Sequence, residues 1–211
     1  MPKRSARSDL LRRALAQEAA RIMAQHGVAD FLLAKRKAAE RMGVTDRAVL
    51  PKNTEIEAAL AEHHRLFDAD SHEGDLVRLR RTAVAAMRLL VEFEPRLVGP
   101  VLSGAAAAHS EIQLHVFADT PESVTIRLIE QFIPHKVVER RVRMLRDATA
   151  PVPVIRFQAG EHEVDAFVFP TDGIRQSPFS PVDGKPMRRA ALRDVEALVE
   201  NGPDPPSMEP P

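Results

Sequence analysis

The feature that most constrains this chain is a change of hydrophobic period at Pro95. Before it, apolar residues recur every three or four positions, the period of an amphipathic helix. After it they alternate, the period of a half-buried strand. With 211 residues the chain can bury a proper core of both kinds of element. Four helices are expected first, then the order β–α–β–β–β, then one last helix. Strands and helices mixed within one core indicate the α+β class. The expected organisation is a helical region over residues 1–94, an α+β domain over 95–201, and a tail over 202–211. That tail, GPDPPSMEPP from Gly202 on, holds five prolines and is expected to be disordered.

In the first half, Ser8 and Asp9 can cap a helix running to about Gln25, and Gly27 offers its stop. Its apolar stripe is Leu11, Leu15, Ala19, Ile22 and Met23. A second helix covers about residues 28–42 and ends at Gly43. Pro51 breaks the pattern, and a third helix runs from Asn53 to about Phe67. Residues 68–74 (DADSHEG) read as a polar turn. Asp75 then opens a fourth helix with Leu76, Leu79, Val84, Met87, Leu90 and Val91 on its inner side. It should end near Glu94, because the residue before a proline disfavours helix.

In the second half, residues 111–118 (EIQLHVFA) alternate. Ile112, Leu114 and Val116 point one way; Glu111, Gln113 and His115 point the other. Pro121 fits the first turn of a helix over 121–132. Residues 136–143 alternate more weakly and form an expected strand. Residues 152–157 and 164–169 read as a hairpin around Ala159-Gly160-Glu161. Asp183-Gly184-Lys185 is a further tight turn, and residues 189–200 form the last amphipathic helix.

Composition removes several function classes. There is no cysteine, which excludes disulfide scaffolds, thiol catalysis and cysteine-ligated zinc sites. There is no Trp or Tyr and only nine Phe, so platforms for stacking bases are scarce. Lys plus Arg and Asp plus Glu are 30 each, so no global basic field draws in nucleic acid. The main basic excess sits in residues 1–50, with 11 basic and 5 acidic side chains. Lys35, Arg36, Lys37, Arg41 and Arg47 give a basic helix face there that could touch nucleic acid. No apolar run approaches the roughly 20 residues of a membrane span, and the start lacks a signal-peptide core. A cytoplasmic location without membrane attachment is the expectation.

The chemistry-bearing segment is LSGAAAAHSEIQLHVF, residues 102–117. A glycine turn is followed by an acid on a strand, and Asp165 stands on a later strand, VDAFVF. This order resembles the nucleotidyltransferases of the DNA polymerase β superfamily over about residues 97–170. That family has a Gly-Ser turn, a strand with two acids one residue apart, and a third acid on a neighbouring strand. The resemblance implies a small mixed sheet of nucleotidyltransferase type. It implies that Gly104 and Ala105 occupy the Gly-Ser turn that approaches the nucleotide phosphates. Ser110, Glu111 and Gln113 would occupy the Ser-acid-apolar-acid stretch, and Asp165 the third acid position. Glu111 and Asp165 would then be the catalytic carboxylates and hold Mg2+. The function implied is transfer of a nucleoside monophosphate from an NTP to an acceptor hydroxyl, with a nucleotide or other phosphorylated small molecule as partner.

The departures define the rival reading. Ala105 has no hydroxyl, Gln113 is neutral where the family has an acid, and the link from Gly104 to Glu111 is shorter than in the family. A nucleotidyltransferase fold that has lost catalysis and serves as a ligand-binding or protein-interaction module fits those departures. A plainer alternative makes Glu111 and Gln113 the solvated side of a strand, and pairs Asp165 with Arg156 across the hairpin. Other combinations fail: His109-Ser110-Glu111 lacks the cysteines of a zinc deaminase, and Glu62-His63-His64 lacks the HExxH spacing. His115 shares the face of Glu111 and could reach a phosphate. Arg140, Arg141, Arg143 and Arg146 form a basic strand edge. Lys185, Arg188 and Arg189 end a proline-pinned loop and could close over an anion.

Overall fold

The computed structural model describes residues 3–26, 28, 30–67, 69–145 and 148–201. The tail expected over 202–211 lies outside the described residues, and so does Arg146. Among the described residues there are seven α-helices and a six-stranded mixed sheet, so the chain is α+β. Two compact units divide between His72 and Glu73. The first is 1–72 with 181–184; the second is 73–180 with the residues from 185 on.

The first unit holds α1 (Lys3–His26), α2 (Phe31–Arg41) and α3 (Asn53–Phe67). Leu15, Ala19 and Ile22 of α1 are buried against Ala34 and Ala38 of α2 and Ile56 and Leu60 of α3. Small residues on α2 let the helices approach closely, and the larger side chains fill the space between them. α2 starts three residues later than its periodicity suggests, because Asp30 caps it. The Asp30 carboxylate accepts from the amides of Leu32 and Leu33 at 2.7 and 3.0 Å.

The second unit opens within α4 (Ala69–Leu89), from Glu73 on. The polar turn expected over 68–74 is therefore corrected from Ala69 on: those residues are helical. One internal glycine, Gly74, costs a helix only about 1 kcal/mol. The buried stripe that follows (Leu76, Leu79, Ala83, Met87, Leu90) outweighs that cost. The helix ends at Leu89, before the position that Pro95 suggests, and a 3-10 turn over Val91–Phe93 leaves Val91 exposed.

β1 (Arg96–Val98) leads into the short α5 (Gly99–Ser103), then β2 (Ile112–Phe117), α6 (Pro121–Glu130), β3 (His135–Leu145), β4 (Ala148–Ala159) and β5 (His162–Phe169). A two-residue β6 (Ala190–Ala191) precedes α7 (Leu192–Glu200). The sheet order is β3-β4-β5-β2-β1-β6. Only β2 and β5 pair in parallel; the other neighbours are antiparallel. This is a small mixed sheet of the kind that the nucleotidyltransferase resemblance implies.

Alternation assigns the two faces. Ile112, Leu114, Val116, Val164, Ala166, Ile155 and Phe157 bury against Leu79, Met87, Leu128 and Val195 of the helices. Gln113, His115 and Phe117 of β2 and Asp165, Phe167 and Phe169 of β5 take the other face. Part of that second face is a smaller apolar cluster of Phe117, Val152 and Phe169. The rest carries the charged groups described next.

Candidate functional site

The parallel pairing of β2 with β5 sets Gln113 directly beside Asp165. The antiparallel pairing of β5 with β4 sets Asp165 directly beside Arg156. Three side chains from three adjacent strands thus stand in one row. Asp165 is 1% exposed. A carboxylate so far from water needs a partner, and Arg156 supplies both hydrogen bonds. Arg156 Nε donates to Asp165 Oδ1 at 2.7 Å and Nη2 to Oδ2 at 2.8 Å. The same guanidinium lies 3.2 Å from Glu163 Oε1 and 3.5 Å from Glu111 Oε1.

One cation therefore stands among three carboxylates. Their hold on Arg156, led by the Asp165 hydrogen bonds, strengthens its proton affinity further. Glu111 is pushed the other way from an exposed acid: burial raises its pKa first, the Asp165 charge raises it further, and Arg156 and Arg140 partly offset this.

Glu111, Gln113 and Asp165 are brought to one patch. Gly104, Ala105 and Ser110 have other local surroundings. Gly104 has φ +82 and ends α5, and a Cβ on it would meet Leu76, on the helix side. Ala105 is half-buried beside it. The Ser110 hydroxyl accepts from the Ala107 amide at 2.9 Å, and the Ser110 amide donates to the Ala107 carbonyl, so the two close a turn. The glycine that faces the patch is Gly99, which the sequence reading passed over. Its φ is +72, and a Cβ there would lie 2.6 Å from Gln113 Oε1. Its sequence signal was the pairing of Val98 with Gln113 across β1 and β2, which needs the strand register to be known.

The Mg2+ expected on Glu111 and Asp165 can be tested against this donor set. Both Asp165 oxygens are engaged by Arg156, and Gln113 offers no charge. A divalent ion would sit against a fixed guanidinium. Among the described residues no group of three or more His, Asp or Glu is placed to hold a metal. In this arrangement the residues do not fit a magnesium ion.

Further along the same face, Arg189 turns inward rather than towards a ligand. Its Nε donates to His115 Nδ1 at 3.0 Å, and Nη1 donates to the carbonyls of Gly173 and Ile174. Its carbon CZ lies 5.0 Å from the Phe117 ring centre and 5.6 Å from that of Phe169. Its Nη2 is buried without a hydrogen-bond partner. Burial, with the charge of Arg96 adding to it, lowers its pKa to about 10. His115 is 2% exposed, packs edge-on against Phe167 and Phe169, and must stay neutral to accept from Arg189. Burial first, and Arg189 second, pull its pKa down to about 3. His115 is thus a buried acceptor for Arg189, and its ring is not presented for phosphate contact.

No family model matches the chain, and no curated protein matches it. Among solved structures it is similar to that of a cytoplasmic RNA terminal U-transferase, with a TM-score of 0.31 and 18% identity. The match covers 55% of this chain and 34% of that one, so the chain spans about a third of the length of that structure. Among the described residues no helix is long and apolar enough to cross a membrane.

Proposed function

We propose that this chain is a nucleotidyltransferase-like module whose third acid is paired from within by an arginine, and that it binds a partner rather than transferring nucleotides. The observation that carries the reading is the two-point pairing of Arg156 with Asp165. In the implied family arrangement the third acid would help cage a metal ion. Here a guanidinium supplies the compensating charge, and the neutral Gln113 lowers the demand for it. What supports binding over catalysis is therefore a donor set already spent on a side chain. Arg156 ties β4 to β5, and Gly99 lets the start of α5 lie against Gln113.

The test is calorimetric titration of each NTP, with and without Mg2+, into the wild type, Asp165→Asn and the double variant Arg156→Met/Gln113→Asp. The reading expects no metal-dependent NTP binding by the wild type. It expects metal binding to emerge in the double variant, because a carboxylate is added where a cation is removed. Incorporation of labelled nucleotide by the wild type, lost in Asp165→Asn, would overturn it. That outcome would establish metal-dependent transfer of a nucleoside monophosphate to an acceptor hydroxyl instead.

A further inference from the structure

We propose that the outer edge of β3, with the exposed apolar side chains on it and in the link before it, docks an extended segment of a partner protein that alternates acidic and apolar side chains and joins the sheet as a further strand. The inference does not rest on the proposed function, although Lys136 of β3 stands directly beside Arg156.

β3 stands at one end of the sheet order, and its strand neighbour is β4 alone. An end strand presents a row of amides and carbonyls to solvent. At one end of the row the Phe179 amide donates to the Arg143 carbonyl at 2.8 Å. Among the described residues the stretch from Lys136 to Arg141 pairs with nothing on that side. At strand rise this leaves about 20 Å of open edge.

Exposed apolar side chains lie on β3, on α6 and in the link between them. Phe132 is 93% exposed, and Ile126, Ile129 and Val137 are each more than half exposed. Ile126 and Ile129, three residues apart, share a side of α6. Val137 pairs with Ile155, whose side chain lies in the helix-covered core, so Val137 belongs to the face that α6 covers. Phe132 sits in the short connection from α6 to β3. Its φ is +56, a left-handed conformation that is costly for a bulky residue. An exposed ring in a strained conformation does nothing for the core. Strain kept at the surface points to a contact made there.

Charge selects the occupant. Lys136 and Arg140 lie on the opposite face of β3, in register with Arg156 and Val152. Arg141 and Arg143 follow, and Glu139 is the one acid within β3. Pairing with a second copy of β3 would bring these cations together, which is unfavourable. An incoming strand would place alternate side chains over Lys136 and Arg140, where acids fit. The others would lie on the face of Val137, which Glu139 and Arg141 share farther along, so an apolar group fits at the Val137 end. A polynucleotide would meet the charges but leave three aliphatic side chains and the amide row unused.

The probe is a fluorescein-labelled synthetic octapeptide alternating Glu with Val, titrated against the full chain by fluorescence polarisation. A peptide of the same composition with four Glu followed by four Val is the control. Two further peptides carry N-methyl groups on one or the other set of alternate amides. The alternating peptide should bind at least tenfold more tightly than the block peptide, and one of the two N-methyl sets should abolish binding. Phe132→Gly and Lys136→Glu/Arg140→Glu should each weaken it at least fivefold, with the melting temperature of Phe132→Gly unchanged. The proposal is overturned by no saturable binding up to millimolar peptide, equal binding of both orders, or indifference to both N-methyl sets. It is also overturned if neither variant weakens binding, if oligo(dT) binds more tightly at the same salt, or if light scattering finds a dimer that Lys136→Glu/Arg140→Glu dissolves.

Discussion

Arg156 and Asp165 face each other on adjacent antiparallel strands and share two hydrogen bonds, of 2.7 and 2.8 Å. Such a pair is costly to break from one side, because the survivor keeps its charge in a place water does not reach. Arg156→Met should destabilise the second unit by about 3–5 kcal/mol, read from urea unfolding. Arg156→Met/Asp165→Leu should recover at least half of that, since it removes both charges. Equal losses in the single and double variants would show that packing, not the unpaired carboxylate, sets the cost.

His115 makes stability depend on pH. Its folded pKa, about 3, lies below the unfolded value near 6.5. Between those values the unfolded chain binds the extra proton. Stability from this group is therefore complete above about pH 6.5 and falls as the pH drops towards 3, by at most about 1.4 kcal/mol per pH unit. The clean window is pH 6.5 to 5, above the titration of ordinary carboxylates. His115→Gln keeps an acceptor for Arg189 and should flatten the slope there, checked by urea midpoints at pH 7 and pH 5. A wild-type slope unchanged in His115→Gln would assign it elsewhere.

The two glycines around α5 should respond differently. Gly99→Ala combines a positive φ with a Cβ placed 2.6 Å from Gln113 Oε1, whereas Gly104→Ala meets its nearest atom at 3.8 Å. Gly104→Ala should cost about 1 kcal/mol from the backbone alone. Gly99→Ala should cost about 1–3 kcal/mol more, and Gln113→Ala should rescue that excess. A double-mutant cycle with no coupling between positions 99 and 113 would contradict the close approach.

Phe132→Gly tests whether the exposed ring serves the fold. Glycine adopts φ +56 without strain but gives the unfolded chain more freedom, and the two effects oppose. The variant should unfold within about 0.5 kcal/mol of the wild type. A loss above 2 kcal/mol would show that the ring packs against something.

Much of this was legible in the linear chain where local rules decide. The alternation of Ile112, Leu114 and Val116 foretold which side of β2 is buried, and the hairpin around Gly160 foretold that Asp165 could meet Arg156. The approach of Glu111 to Arg156 was not legible, because it needs the strand order that places β5 between β2 and β4. What stayed hidden depends on distant register. β1 and β6 span three and two residues, too few for a period to show. Choosing Gly99 over Gly104 required knowing that α5 fills the gap between them. The Arg189–His115 contact joins residues 74 positions apart, and a basic loop end gives no sign that it will turn inward. The helical state of Ala69 to Gly74 was hidden because polar residues and glycine imitate a turn until the packing downstream is counted.

β1 is enclosed by β2 on one side and by β6 on the other, where Leu97 meets Ala190. During synthesis the ribosome releases Leu97 long before Ala190 exists. Until then the nascent sheet has an uncovered border, and the rings of Phe117 and Phe169 lack the Arg189 side chain that later lies over them. Contacts so remote in sequence close slowly and leave sticky surface exposed meanwhile. Vectorial production of this unit therefore leaves that border open until β6 emerges.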